Sequence, residues 1–399
     1  MADTYIANVT LFDGRVVRRG QGVLVSGDRV TWVGPHARAP RAARSASVVE
    51  RAGAALTPGL IDCHVHLQFD GSADFEGEAL ALTPARAALK AAANLRKHLD
   101  HGVTTVRDLG GMDAINCDVG RAVQEGSIEG PRVRAAGRAL TITGGHGHNV
   151  AFAREVDGPD AMRKAVREEI KAGATVIKVV ASGGVLTPGI GATFTAYSQE
   201  ELCAAVEEAH RRDRGVAAHA IGEEGIFNAV LAGVDSIEHC THVTPRVARE
   251  MKARGTFRSP TLSALRGIID HQDRVPAYAV AKARALEQVA RVSQQRAIRA
   301  GIRHVCGTDA GTPFNPHGNA PRELVEMVAW GMTPLAAMRA ATSNGGELLR
   351  LDGVGSVAVG ALADLVLYDA NPVDDIEAVL TPRTVWANGI VVRGRRSGR

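Results

Sequence analysis

The sequence is poor in aromatic residues, 4% of the total, and in lysine, of which there are seven among 399 residues. Its apolar runs all fall short of the ~18 residues that cross a bilayer as a helix, so no membrane partner is expected. The five cysteines, Cys63, Cys117, Cys203, Cys240 and Cys306, are odd in number, scattered and free of any CxxC pair. That excludes a disulfide scaffold and argues against a structural zinc on cysteine. Charge of either sign is not in excess: 47 basic against 43 acidic residues leave +4, too little to suggest a nucleic-acid partner. The one basic cluster, RGRRSGR at 393–399, is expected to fray into solvent. The opening MADTYIANVT lacks a basic stretch followed by an apolar one, so no signal peptide is expected and the cytoplasm is the expected location.

What is present is an ordinary globular composition, 45% hydrophobic and 23% charged. At ~150 residues per domain the length suggests two or three domains, although an α/β barrel can absorb 200–250 residues alone. Both ends read as short strands broken by Gly and Asp: TYIANVTLF, GVLVSGDRVTWVG and SVVERAGAALTPG at the start, SVAVG, ADLVLYDANP and TVWANGIVVRG at the finish. Asn388-Gly389 between alternating apolar residues is a hairpin signal. The two ends are therefore expected to pair as one small β-sandwich domain, residues 1–57 with 352–399, around a central domain over 58–351.

That central stretch alternates short apolar runs with long amphipathic ones. GLIDCHVHL, VTTVRDLG, VRAAGRALTITGG, TVIKVVASGG, GVAAHAIG, DSIEHCTHV, TFRSPTL and HVCGTDAG are the expected strands. PARAALKAAANLRKHLDHG, PDAMRKAVREEIKAG and SQEELCAAVEEAHRRDRG are expected helices, each running to a Gly stop. The alternation specifies an α/β fold, a (β/α)8 TIM-like barrel.

In such a barrel the chemistry sits at the C-terminal strand ends. His64 and His66 lie at i and i+2, on one face of a strand, where two imidazoles can chelate one ion. HxH alone is common by chance. Lys178 lies inside the apolar run TVIKVV, where lysine is almost never buried without a purpose; it is either a snorkelling strand-end residue or an amine with depressed pKa. His219 and His239 end successive strands, and Asp309 in CGTDAG ends the last, among small neighbours that leave room for an ion.

His-x-His, Lys, His, His and Asp on strands 1, 4, 5, 6 and 8 resemble the amidohydrolase superfamily, in the subtype with two metals bridged by a carboxylated lysine. TPGLIDCHVHL and the split β domain belong to the same likeness. TGGHGH, IKVVASGG and IEHCTH look like its Xaa-Pro dipeptidase and imidazolonepropionase-related branch. The resemblance implies two divalent ions, with zinc well suited to imidazole and carboxylate. His64, His66 and Asp309 would hold one, His219 and His239 the other, and Lys178 as N6-carboxylysine would bridge both. It implies a hydrolase in which a hydroxide between the ions cleaves an amide bond, in an Xaa-Pro type dipeptide or an N-acyl amino acid. A carbamate, ester, lactam or amidine is the alternative bond, and a non-catalytic structural relative the alternative of another class. Asp309 would also move the proton. His146, with His148, would hydrogen-bond the reacting carbonyl. Arg107 would bind a substrate carboxylate or else pair internally with Asp108. Thr308 and Ser182 are expected to support neighbours by hydrogen bonds rather than act as nucleophiles. A small-molecule substrate and a homo-oligomer complete the expectation.

Overall fold

The computed structural model describes residues 3–394, so 395–399 of the basic tail lie outside them. The centre is a ring of parallel strands: Leu60–Val65, Val103–Asp108, a third strand in two pieces, then Val176–Val180, Gly215–Ala220, Ser236–His239 and Phe257–Ser259. Leu60–Val65, Val103–Asp108 and Val176–Val180 are buried at every position. That is why these strands read as near-continuous apolar runs rather than alternating ones. The third strand breaks at Gly137, which takes a left-handed φ of +70°. Its first half, Arg132–Ala135, pairs with the second strand, and its second half, Ala139–Thr141, meets the fourth through Leu140 and Val179. The break joins two sheets into one barrel wall.

The expected eighth strand, HVCGTDAG, is less regular than its neighbours. It makes only isolated bridges, His304 with Arg258 and Ala310 with Val65. Yet Val305 N–H donates to the Arg258 carbonyl at 2.9 Å, Cys63 N–H to Cys306 at 2.8 Å and Asp309 N–H to His64 at 2.7 Å. These bonds close the barrel. Asp309 and Gly311 turn through φ of +60° and +104°, which a continuous strand would not permit.

Helices on the outside follow ordinary start and stop chemistry. Pro84–Asp100 starts after Thr83, whose hydroxyl accepts from Arg86 N–H. It buries Ala87, Ala91 and Leu95, one helical turn apart. A fully buried leucine contributes roughly 1.5–3 kcal/mol. Gly102 and Gly173 terminate two of the expected helices in the left-handed conformation. The third, Gln199–His210, opens with a Ser198–Glu201 capping box but does not run to a glycine. The non-glycine Asp213 turns the chain at φ +55°, and Gly215 already belongs to the next strand.

The terminal segments pair into one eight-stranded mixed sheet, with the seam where Ala55–Pro58 runs antiparallel to Leu365–Tyr368. Leu11, Val23, Leu56, Leu365 and Trp386 share one apolar cluster, so strands from both ends of the chain bury a common face. SVAVG, expected as a strand, is a turn region, because Val357 and Gly360 spend their N–H groups on Asp13 and Val30 of the N-terminal segment. The Asn388-Gly389 hairpin forms as expected, with φ of +48° and +75°. It touches the Gly27 turn of another hairpin: a Cβ on Gly389 would lie 1.9 Å from the Gly27 carbonyl oxygen. Gly389→Ala should therefore lose about 1–3 kcal/mol in urea unfolding, from backbone strain with an added clash. Unchanged stability would show that the two turns separate freely.

Candidate functional site

The C-terminal ends of the barrel strands surround a cleft lined by His64, His66, His146, Lys178, His219, His239 and Asp309. The Asp309 carboxylate Oδ1 lies 3.3 Å from His64 Nε2 and 3.2 Å from His66 Nε2. Those three side chains offer donor atoms within 4.8 Å of one another, a spacing compatible with one divalent ion. The other nitrogen of His66 donates to the Gly110 carbonyl at 3.0 Å. His64 Nδ1 lies 3.1 Å from Glu238 Oε2, within ion-pair range but not aligned as a hydrogen bond. Such partners fix which ring nitrogen faces inward.

His219 and His239 stand opposite, their rings 4.6 Å apart between centroids, and His239 is 5.5 Å from His64. His219 Nε2 donates to the Gly183 carbonyl at 2.8 Å, which leaves Nδ1 free. His239 Nδ1 pairs with the Thr261 hydroxyl at 2.7 Å, which leaves Nε2 free. Lys178 is 3% exposed, and its strongest charge neighbours are Glu238 and then Asp309. The six residues expected as ligands thus line one cleft.

Electrostatics follow from burial. Desolvation holds His64, His219 and His239 well below the ordinary imidazole range, so they are neutral donors. His66 goes the other way: burial opposes its charge, but the Asp309 carboxylate outweighs that. Burial pushes the Asp309 carboxyl up, while His64, His66 and Lys178 together hold it below the usual range. Desolvation pulls the Lys178 ammonium down to about 8. A neutral amine, the form that can react with carbon dioxide, is therefore more accessible than on a surface lysine.

The chain turns sharply at these strand ends. His239, Cys240, Thr261 and Asp309 all have left-handed φ, between +50° and +63°. Non-glycine residues there cost of order 1–3 kcal/mol each and persist only when the surroundings impose them. Arg258, buried in the seventh strand, contributes by placing its guanidinium 3.4–3.5 Å from the Cys240 and His239 carbonyls.

His146 lies over the cleft, its ring 4.7 Å from that of His219, with Nδ1 2.7 Å from the Thr187 hydroxyl. A Cβ on Gly184 would come within 2.3 Å of His146 Nε2, so only glycine admits the ring there. Burial pushes His146 down to about 4.

Two expected substrate contacts need correction. His148 is exposed and turns its Nδ1 to the Gly145 carbonyl at 2.8 Å, away from the cleft. Arg107 is 1% exposed and lies beneath the site, inside the barrel. It donates to Glu238 Oε1 at 2.8 Å, Ser236 Oγ at 3.0 Å and the Cys63 carbonyl at 2.6 Å. Neither a substrate carboxylate nor Asp108 is its partner. Asp108, the next residue along, points to the other face of the strand and accepts from Leu67 N–H and the Asn116 amide.

Thr308 and Ser182 support their neighbours as expected. The Thr308 hydroxyl donates to Asp62 at 2.7 Å, and Ser182 accepts from Ile221 N–H at 2.8 Å. Sequence reading missed Glu238, whose signal was a carboxylate next to the strand-end histidine in SIEH. It also missed Asp62, pushed up to about 7 by burial, and Thr187 and Thr261, which mark no motif.

With this geometry in view, comparison places the chain. The amidohydrolase family model matches residues 55–394. The chain belongs to the amidohydrolase family. It is 33% identical to ochratoxinase of Aspergillus niger over 99% of this chain and 88% of that protein. The crystal structure of A. niger ochratoxinase superposes with a TM-score of 0.89, covering 98% of this chain and 96% of that one. A Xaa-Pro dipeptidase with methionine bound in its active site matches at TM-score 0.88 and 29% identity, covering 98% and 99%. A prolidase complexed with N-methylphosphonate-L-proline matches at 0.88 and 32%, covering 98% and 100%. The amidohydrolase is thus a hydrolase acting on carbon–nitrogen bonds. Among the described residues no helix is long and apolar enough to cross a membrane.

The buried Arg107–Glu238 pair gives a direct test. Glu238→Gln would leave the guanidinium buried without its counter-charge, and should cost about 3–5 kcal/mol in urea unfolding. A loss under 1 kcal/mol would show that the pair is not what holds the barrel interior.

Proposed function

We propose that this amidohydrolase carries two divalent ions, zinc by the chemistry of its donors, and cleaves the amide bond of an Xaa-Pro type dipeptide or an N-acyl amino acid. The observation that carries the reading is Asp309 Oδ1 set against both His64 Nε2 and His66 Nε2 in a cleft that also holds Lys178, His219 and His239. His64, His66 and Asp309 would hold one ion and His219 and His239 the other. Lys178, once its amine has added carbon dioxide and released a proton, would offer a carbamate oxygen to each. The methionine and the proline phosphonate held by the related dipeptidase and prolidase support an amino-acid product. The reading also includes a homo-oligomeric enzyme of the cytoplasm with a small-molecule substrate.

Bound ions would supply a polarised carbonyl and a water of lowered pKa. Asp309 is placed to hold a proton on its carboxylate and would pass it to the leaving nitrogen, as a general base and then a general acid. His146 is the group over the carbonyl. The Thr187 oxygen accepts from Gly147 N–H at 3.0 Å, so its own proton can go to His146 Nδ1. The ring proton then sits on Nε2, which donates to the carbonyl oxygen and holds it more strongly as negative charge develops.

The reading is tested by metal analysis and a substrate screen of the reconstituted enzyme with Xaa-Pro dipeptides, N-acyl amino acids and carbamates. Two ions per chain and turnover of an amide are expected; hydrolysis of carbamates alone would move the reaction to the alternative bond. Lys178→Ala should lose metal and activity, with partial rescue of both by short carboxylic acids; a plain amine far from either ion in a metal-loaded crystal would refute the bridge. Asp309→Asn should retain much of its metal and lose kcat by ~10²-fold or more, so near-normal turnover would remove the proton-shuttle role. His146→Ala should cost ~2.7–4 kcal/mol of transition-state stabilisation with metal content unchanged, whereas His148→Ala should leave kcat/KM near wild type.

A further inference from the structure

Beyond the catalytic groups much of the lining of the cleft is apolar. Two apolar walls, from different loops and helices, contribute to it. One comes from the loops after the first and third strands and carries Phe75, Val150 and Phe152. Three of the chain's eight phenylalanines, Phe69, Phe75 and Phe152, cluster here beside His66, with ring centroids 4.8 Å apart for Phe69 and Phe75 and 5.5 Å for Phe152 and His66. The other wall carries Leu186 from the loop after the fourth strand, Leu265 from helix Leu262–Asp270 and Leu286 from helix Ala277–Ala300.

The guanidinium in the lining is already engaged. Besides Lys178, the one Lys or Arg lining the cleft among the described residues is Arg258. Its guanidinium is held by Gln294, by His304 and by the carbonyls of His239 and Cys240. Glu76, at the first wall, accepts from the Asn149 amide at 2.7 Å. The second wall is also held in place. Lys282 Nζ donates to the Gly184 and Thr187 carbonyls at 3.1 and 2.7 Å, and the Tyr278 hydroxyl to Leu186 at 3.0 Å. These bonds tie the loop bearing Leu186 to helix Ala277–Ala300, so the wall is formed before anything binds.

We propose that the substrate carries an uncharged apolar group on each side of the scissile bond, seated against these two walls. The proposal rests on the amide-hydrolase reading and narrows it. An anionic group added to the acyl chain or to the amino-acid side chain, beyond the α-carboxylate common to the class, would lose its water against phenylalanine and leucine with no free Lys or Arg in the lining to meet it. An apolar one would exchange water for pre-formed contacts at little ordering cost.

The test is a matched series of N-acyl amino acids, with the acyl group acetyl, hexanoyl, benzoyl or succinyl and the amino acid Ala, Leu, Phe, Asp or Lys. The highest kcat/KM is expected for hexanoyl or benzoyl with Leu or Phe. Succinyl and Asp members should fall at least ~10-fold lower, the order of discrimination that pocket burial supplies, while Lys reports on the Glu76 carboxylate and should fall less. Leu286→Trp should reduce kcat/KM for a bulky substrate more than for N-acetyl-alanine. Calorimetric titration of the non-hydrolysable ketomethylene (CO–CH2) analogues separates this proposal from the reaction it rests on. Tighter binding of apolar analogues without hydrolysis of any amide in the series would sustain the two walls and defeat the amide reading. Analogues with the added anionic group binding as well as apolar ones, or such substrates turning over as fast, would overturn the proposal itself.

Discussion

The hydrogen bond from Asp309 N–H to the His64 carbonyl, 2.7 Å long, is the contact on which the site depends. It closes the barrel between the last and first strands. It also sets the Asp309 carboxylate beside the two imidazoles of the first strand. Asp62 reinforces the seam from below, accepting from the Thr308 N–H at 3.0 Å and hydroxyl at 2.7 Å and from His64 N–H at 3.2 Å. A barrel left open there would separate His64 and His66 from Asp309, and no other group of three or more His, Cys, Asp and Glu side chains among the described residues offers its ligand atoms as close together.

Beneath this seam lies a buried charge pair, and above it an apolar cleft. Arg107 and Glu238 meet inside the barrel, where a charge without its partner is costly. Glu238 presents its second oxygen to His64, so the same pair that fills the barrel interior also faces a side chain of the site. Above the strand ends, left-handed turns at His239, Thr261 and Asp309 aim side chains inward at a cost in backbone strain. The bonds of Arg258 to the His239 and Cys240 carbonyls and of Asp309 to His64 oppose that strain.

Much of this was legible in the sequence because it depends on local pattern. Buried parallel strands read as apolar runs, two helix ends as the glycine stops Gly102 and Gly173, and the terminal hairpin as Asn388-Gly389. His64, His66, Lys178, His219, His239 and Asp309 stood out because each interrupts or ends an apolar run with a polar side chain. The alternation of strand and helix then placed all six at the same end of one barrel. His146 was found through its glycine-rich loop, which marks close approach of the backbone but does not say which neighbouring histidine turns inward.

What the sequence determined by itself is therefore the barrel, its terminal sheet and the set of polar strand ends. Tertiary structure alone decided the partner of Arg107, the outward turn of His148 and the irregular last strand. The reason is physical. Residue 107 follows an apolar run like the others, but its partner Glu238 is 131 positions away and meets it only when the barrel closes. His146 and His148 are separated by the single residue Gly147, and the difference between them is made by Thr187 and Gly184, brought over the loop from the fourth strand. Contacts of that range have no local signature, because they exist only after the backbone has been folded around them.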